Sequence, residues 1–247
     1  MSRISLYLAT TIAITCPLAT AQDDEPKKAT AIYEWRAEHD PNGIGKFYMG
    51  REIAHVTGGI NWLERPERER EERLSLLIKS LKLQPGDRVA DIGAGAGVIS
   101  MLMAEEVLDT GYVLAVDVQD QMLLRIQENA KKKGITNVIP IKGSQKAPNL
   151  APQSVDLVIM IDVYHEFEFP HEIMLEISKS IRPGGRLVFV EYRMEDPTVR
   201  IKLVHKMTKK QVRLEMDRPE FNLTFKEAID VLPQQHILIF TKNSSEK

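Results

Sequence analysis

The sequence predicts an α/β fold, namely a doubly wound, mostly parallel sheet of seven strands whose last strand is antiparallel. Short apolar runs alternate with helix-like runs from residue 88 to residue 216. The glycine-rich stretch VADIGAGAG contains the first of these apolar runs and the loop after it. Near the C-terminus, two β-like runs flank Pro233-Gln234-Gln235, a pattern typical of an antiparallel pair that closes a sheet.

Each predicted element follows from local pattern. Pro66 suits the first turn of a helix. This helix is predicted to be amphipathic, because four apolar residues after Pro66 share one helix face. These are Leu74, Leu77, Ile78 and Leu81. The predicted strands are Arg88–Ile92, Tyr112–Val118, Val138–Lys142, Val155–Asp162, Arg186–Tyr192, Leu223–Val231 and His236–Thr241. The predicted helices are Val98–Val107, Met122–Lys132, His171–Ser180 and Lys209–Met216.

The N-terminus has the order of features found in a secretory signal peptide. Arg3 is followed by an apolar and threonine-rich run, Ile4–Leu18, and then by small residues, Ala19-Thr20-Ala21. We therefore expect a signal peptide over residues 1–21, cleavage after Ala21, and a periplasmic or secreted protein. An ordinary N-terminal helix is the alternative. Cys16 is the single cysteine, which excludes an intramolecular disulfide and leaves lipidation of Cys16 as a minor option.

Two further segments follow the expected leader. Residues 22–65 are polar and irregular, and we expect them to form an N-terminal cap segment in which Phe47–Val56 is a short helix. Residues 66–247 form the α/β domain. Tyr48 and Arg51 in the cap segment are candidates for closing over a bound ligand.

The charge balance limits the partners. The chain has 33 Lys and Arg against 35 Asp and Glu, a net charge of −2, so no strongly basic surface is available for a nucleic acid backbone. We therefore expect no nucleic-acid partner. We also expect no stable membrane insertion once the signal peptide has been removed.

The glycine-rich loop matches neither of two common phosphate-binding patterns. A P-loop requires Lys and Ser or Thr after its last glycine, whereas Gly97 is followed by Val98-Ile99. A dinucleotide fingerprint counted from Gly93 places its third small residue on Val98. The glycines instead stand two, four and six residues after Asp91.

The pattern Asp-x-Gly-x-Gly-x-Gly resembles the first motif of the class I S-adenosylmethionine-dependent methyltransferases. The resemblance extends from about Leu74 to the C-terminus. It includes Asp117, twenty residues after Gly97, the stretch SVDLVIMIDVYHEF at the fourth strand, and IRPGGRLVFVEY at the fifth. It implies a Rossmann-like methyltransferase fold, with S-adenosyl-L-methionine as the cofactor.

The resemblance also implies which residues bind the cofactor. Asp117 stands where the family binds both ribose hydroxyls, and Val118 would pack on the adenine. The glycines would admit the ribose and methionine moiety, where a Cβ would intrude. Asp91 would orient the loop and reach the amino group through water. The full set is Asp91, Gly93, Gly95, Gly97, Asp117, Val118, Ser144, Gln145 and Asp162.

Methyl transfer from a sulfonium requires that the acceptor atom, the methyl carbon and the sulfur be aligned. It requires a base only if the acceptor must lose a proton. His165 follows the fourth strand and is the first candidate for that base, with a pocket-wall role as the alternative; Tyr164 is a weaker catalytic candidate. No metal site is expected, because His165 and His171 are six residues apart, whereas helical metal pairs are spaced i, i+4. His205 and Lys206 are expected on the surface.

The acceptor is expected to be a small molecule and, less strongly, a protein side chain. Enzymes that methylate the amino groups of nucleic-acid bases carry a motif that resembles Asn/Asp-Pro-Pro-Tyr after the fourth strand. This chain has Asp162-Val163-Tyr164-His165 there. The alternative function is an exported module that binds an adenosylmethionine-type nucleoside without turnover. A nicotinamide oxidoreductase is disfavoured by Val98. Export conflicts with a cofactor made in the cytosol.

Overall fold

The computed structural model describes residues 32–56 and 58–244. The predicted signal peptide, its cleavage point after Ala21 and Cys16 lie outside the described residues. In the described ranges, no helix combines the length and apolar character needed to cross a membrane.

A small antiparallel sheet precedes a larger α/β sheet. The strands are β1 (Tyr33–Trp35), β2 (Gly43–Tyr48), β3 (Arg51–Ala54), β4 (Arg88–Ile92), β5 (Tyr112–Asp117), β6 (Val138–Lys142), β7 (Val155–Ile161), β8 (Ile181–Arg193), β9 (Lys206–Met207), β10 (Leu223–Ile229) and β11 (Gln235–Lys242). The α-helices are α1 (Ile60–Leu63), α2 (Arg68–Glu72), α3 (Leu74–Leu81), α4 (Val98–Val107), α5 (Asp120–Lys133), α6 (Pro170–Ser180) and α7 (Lys209–Met216). Short 3₁₀ turns cover Tyr164–Glu166, Leu203–His205 and Pro219–Phe221.

The larger sheet has the predicted doubly wound topology. Its strand order is β10-β11-β8-β7-β4-β5-β6, and the two-residue β9 pairs with β8 outside this path. Strands β4 to β8 pair in parallel, whereas β11 is antiparallel to both of its neighbours. The strand order reverses beside β4, so the loops after β4 and β7 diverge and leave a crevice at the carboxyl edge.

Apolar side chains cover both faces of this sheet. Successive residues of a strand point to opposite faces, and Leu157 and Val158 of β7 accordingly belong to two different buried clusters. The apolar face predicted for the helix before β4 is confirmed, since all four of its residues are buried. That helix is interrupted, however, because Arg73 adopts a left-handed φ of 57° and separates α2 from α3.

The predicted helix over Phe47–Val56 is wrong, because this segment contains most of a β-hairpin. Met49 and Gly50 connect β2 and β3 with φ of 48° and 88°. Two successive residues with positive φ are typical of the tight turns that join antiparallel strands. The buried apolar residues of this segment, Phe47, Tyr48, Ile53 and Ala54, lie on these two strands.

A buried ion pair fixes this hairpin against the larger domain. Arg51 donates two hydrogen bonds to the carboxylate of Glu215 in α7, at 2.8 and 3.0 Å. A third donor of Arg51 bonds the carbonyl oxygen of His165 at 3.1 Å. The Tyr164 hydroxyl donates to Glu215 at 2.7 Å. Arg51 and Tyr48 therefore serve the packing of the hairpin and do not line the cleft described below, which corrects their predicted closure over a ligand.

This ion pair gives a test of the packing. We expect Arg51→Met to lower the free energy of unfolding by about 3–5 kcal/mol, because it leaves the Glu215 carboxylate buried without its charged partner. Urea unfolding followed by circular dichroism measures the loss. The double variant Arg51→Met/Glu215→Leu removes both charges and is expected to recover much of it. A double variant as unstable as Arg51→Met alone would contradict this account.

Candidate active site

A cleft of about 630 Å³ opens at the carboxyl edge of the larger sheet, where the strand order reverses. Loops after β4, β5, β6 and β7 form its floor, and segments before α1 and before β9 form its walls. Its lining includes Gly93, Gly95, Asp117, Val118, Ser144, Gln145, Asp162, His165, Glu166 and His205. The sheet thus brings together most of the residues that the sequence predicts for one site.

The glycine-rich loop is left-handed at each glycine. Gly93, Gly95 and Gly97 have φ of 72°, 54° and 76°, values that residues with a Cβ rarely adopt. A Cβ on Gly93 would lie 2.5 Å from Val163 Cγ2, and one on Gly95 would lie 2.6 Å from Leu63 Cδ1. Protein side chains therefore already take up the space beside Gly93 and Gly95, so packing itself requires glycine at these positions. The predicted contact of the glycines with the ribose and methionine moiety stays a prediction.

Asp117 joins the end of β5 to this loop. One carboxylate oxygen accepts from the Gly95 amide at 2.9 Å, and the other accepts from the Gln119 amide at 2.8 Å. Burial raises the pKa of Asp117, and these amide bonds oppose the shift. Asp117 also lines the cleft, and a carboxylate has about four lone-pair sites, so it can accept further hydrogen bonds from a ligand there.

Two predicted cofactor residues lie behind the cleft. Asp91 does not line it but accepts from the Ser100 hydroxyl at 2.6 Å, and burial raises the pKa of Asp91 to about 6. Gly97 does not line it either, and a Cβ there would lie 2.9 Å from Ile126 Cγ1. The bond to Ser100 at the start of α4 agrees with the predicted orienting role of Asp91, and its contact with the amino group through water stays a prediction. Gly97 packs against α5 and does not line the cleft, so its predicted part in the cofactor site is structural.

The residues after β5 and β6 do face the cleft. Val118 is 38% exposed, which suits an apolar contact with a planar ligand. The Ser144 hydroxyl accepts from the Ala147 amide at 3.0 Å and so tightens the loop that also carries Gln145. The predicted packing of Val118 on the adenine stays a prediction, as does cofactor binding by Ser144 and Gln145.

Asp162 lies in the cleft with one unsatisfied oxygen. Its Oδ2 accepts a hydrogen bond from the side-chain Nε2 of Gln235 at 3.0 Å. Its buried Oδ1 has no partner among the described residues. Burial raises its pKa well above the ordinary value, and the neighbouring Glu191 adds to the shift. A ligand donor at Oδ1 would satisfy this group.

The prediction of a catalytic role for Tyr164 is corrected. The side chain is fully buried and does not line the cleft. Its hydroxyl bonds Glu215, and burial raises the pKa of Tyr164 far above the ordinary value. Tyr164 therefore belongs to the ion-pair network beneath the site.

His165 lines the cleft, and both of its ring nitrogens have partners. Nδ1 lies 2.6 Å from Glu191 Oε2, and Nε2 lies 3.1 Å from Nδ1 of His205. Burial lowers the pKa of His165 to about 4 and raises that of Glu191 to about 8. Burial thus disfavours the charged form of each of these two groups. The predicted catalytic role of His165 stays a prediction.

His205 was expected on the surface but is only 6% exposed. The irregular segment before β9 carries it into the cleft, where its Nδ1 lies 3.7 Å from Glu166 Oε1. His171, the residue weighed with His165 as a metal ligand, lies elsewhere, with its Nδ1 3.9 Å from Glu220. No periodicity in the sequence indicates that His205, forty residues after His165, reaches the same site.

Comparisons with known proteins agree with this architecture. Residues 83–243, more than half of the chain, match the family model described as a methyltransferase domain. An arsenite methyltransferase of Halobacterium salinarum is 32% identical over 105 residues, which cover 42% of this chain and 27% of that protein. The uncharacterized methyltransferase YcgJ of Bacillus subtilis is 28% identical over 129 residues, which cover 52% of this chain and 50% of that protein. The chain thus spans from about a quarter to half the length of these two relatives.

Solved structures show the same fold at lower identity. A SAM-dependent methyltransferase from Aquifex aeolicus aligns with a TM-score of 0.67 at 22% identity, over 73% of this chain and 95% of that one. YcgJ aligns with a TM-score of 0.55 at 17% identity, over 70% of this chain and 98% of that one. The chain therefore belongs to the methyltransferase domain family, and S-adenosyl-L-methionine is its cofactor.

Proposed function

We propose that the protein transfers the methyl group of S-adenosyl-L-methionine to a small-molecule acceptor by in-line displacement. The cleft carries this proposal, because its volume of about 630 Å³ lies within the range of pockets that enclose small ligands. The glycine-rich loop lines one part of the cleft, and His165, Glu166 and His205 line another, so one cavity can hold cofactor and acceptor together.

The cofactor would occupy the side of the cleft next to β4 and β5. The Asp117 carboxylate in the cleft would accept hydrogen bonds from the two ribose hydroxyls, since charge-assisted hydrogen bonds are the stronger kind. The unsatisfied Oδ1 of Asp162 suits the ammonium group of the methionine moiety. Val118 would contact the adenine.

The acceptor would lie beside His165, Glu166 and His205. In the displacement, a lone pair of the acceptor forms a bond to the methyl carbon, and the electrons of the carbon–sulfonium bond return to sulfur. An acceptor oxygen or sulfur that begins protonated releases its proton to water or to a neighbouring base. Alignment of acceptor, carbon and sulfur is the main task of the cleft, because the sulfonium is already an activated leaving group.

We also propose that the protein is exported. The order of Arg3, the apolar run Ile4–Leu18 and the small residues through Ala21 supports this proposal. The single cysteine, Cys16, would leave with the signal peptide, so that the mature chain would contain no thiol.

Removal of the Asp117 carboxylate tests the cofactor site. We expect Asp117→Ala to weaken binding of S-adenosyl-L-methionine by roughly 100-fold or more, because two hydrogen bonds to a charged group are lost. Isothermal titration calorimetry measures the affinity. Asp120→Ala is the matched control, since the Asp120 side chain is 83% exposed and lies outside the cleft. Equal affinity in the two variants would refute the placement of the ribose.

The acceptor class is tested with cofactor labelled in its methyl group. We expect the label to pass to members of a panel of small hydroxyl, thiol and amine compounds, and not to peptides, because a cleft of about 630 Å³ has the size of pockets that enclose small ligands. Tight cofactor binding with no transfer to any small molecule would favour the binding module without turnover. Transfer to peptides alone would overturn the proposed acceptor.

Mass spectrometry of the N-terminus tests export. We expect the chain recovered from the exported fraction to begin at Gln22, because the small residues before it fit the specificity of signal peptidase. An intact Met1 on protein found in the cytosol would contradict the proposal.

A further inference from the structure

Three potential metal ligands meet where the acceptor is proposed to bind. His165, Glu166 and His205 each offer one donor atom to a cluster whose atoms all lie within 4.8 Å of one another. We propose that these residues bind a divalent transition-metal ion through His165 Nε2, His205 Nδ1 and a carboxylate oxygen of Glu166.

The donor spacing suits a metal ion. Ligands bound at about 2.0–2.2 Å in tetrahedral or octahedral geometry lie about 3.0–3.5 Å from one another. His165 Nε2 and His205 Nδ1 are 3.1 Å apart, within this range. Glu166 Oε1 lies 3.7 Å from His205 Nδ1, slightly beyond this range, and all three donor atoms lie within 4.8 Å of one another.

Glu191 supplies the support that a metal-binding histidine requires. A metal ion on Nε2 of His165 requires that the proton be on Nδ1, and Glu191 Oε2 lies 2.6 Å from that atom as its acceptor. A carboxylate behind a histidine in this way fixes the tautomer and orients the ring toward the ion. The Tyr164 amide holds the other oxygen of Glu191 at 3.1 Å, so this carboxylate is itself oriented.

An ordinary buried histidine pair does not explain His205. Its ring is perpendicular to that of His165, and its Nε2 is buried with no partner among the described residues. A histidine that only fills a core usually has its buried nitrogens hydrogen-bonded. If Nδ1 binds a metal ion, Nε2 carries the ring proton, because a neutral ligating imidazole keeps its proton on the other nitrogen.

The donor set indicates the kind of ion and the use of the site. Two imidazoles and one carboxylate suit Zn²⁺, Co²⁺, Ni²⁺ or Fe²⁺ better than Mg²⁺ or Ca²⁺, which prefer oxygen ligands. Three protein ligands leave a coordination position open, as in catalytic sites. If the proposed function holds, the ion would bind an oxygen or sulfur atom of the acceptor, and His165 would act as a ligand instead of a base.

Metal titration of the chelator-treated full-length protein tests the site. We expect one Zn²⁺ per chain by isothermal titration calorimetry, and Co²⁺ to produce visible ligand-field absorption on binding. His205→Ala is expected to weaken Zn²⁺ binding by about 100-fold or more, and Glu191→Gln by about 10- to 100-fold through the positioning of His165. His171→Ala is the control and is expected to bind Zn²⁺ as the unaltered protein does, because His171 lies outside the cluster.

Cofactor binding distinguishes the possible failures. Each variant is also titrated with S-adenosyl-L-methionine, whose proposed contacts at Asp117 do not involve the cluster, so retained affinity shows that the variant has folded. A folded, unaltered protein that binds cofactor but neither Zn²⁺ nor Co²⁺ would overturn the metal site. Unchanged metal affinity in a folded His205→Ala variant would overturn it as well. Metal binding without cofactor binding would support the metal site and refute the proposed function.

Discussion

The buried pair of Arg51 and Glu215 is the interaction on which the acceptor side of the cleft depends. It connects the N-terminal hairpin, the turn after β7 and helix α7, three segments that are far apart in the sequence. Charges buried this deeply must remain paired, so the three segments assemble together. Because Arg51 also holds the backbone carbonyl of His165, the position of that imidazole follows from the same contacts.

The two sides of the cleft are built by different means. On the cofactor side, backbone geometry is decisive: a left-handed loop follows β4 at the point where the strand order reverses, and Asp117 holds it through the Gly95 amide. On the acceptor side, side chains from three segments converge, with Glu191 behind His165 and His205 in front of it. The first arrangement follows from the strand order and the loop after β4, whereas the second depends on contacts between side chains that are far apart in the sequence.

This difference explains what could be predicted from the sequence. Strands β4 and β6 and helices α4 and α7 have the predicted bounds, because apolar periodicity and a short list of turn residues determine them locally. The hairpin was missed because the left-handed turn at Met49 and Gly50 reverses the chain, so that the residues on either side of it form two strands and not one helix. His205 was missed because its burial depends on the path of an irregular segment, and no local pattern reports that path.

At Gly93 and Gly95, the glycine-rich loop packs closely against two other segments that line the cleft. Val163, just before the His165 turn, occupies the space beside Gly93, and Leu63 of α1 occupies the space beside Gly95. Larger residues in this loop would therefore displace the walls of the acceptor side as well as the loop. A bulkier residue at position 93 consequently needs both a shorter side chain at position 163 and a backbone that keeps the left-handed φ of 72°.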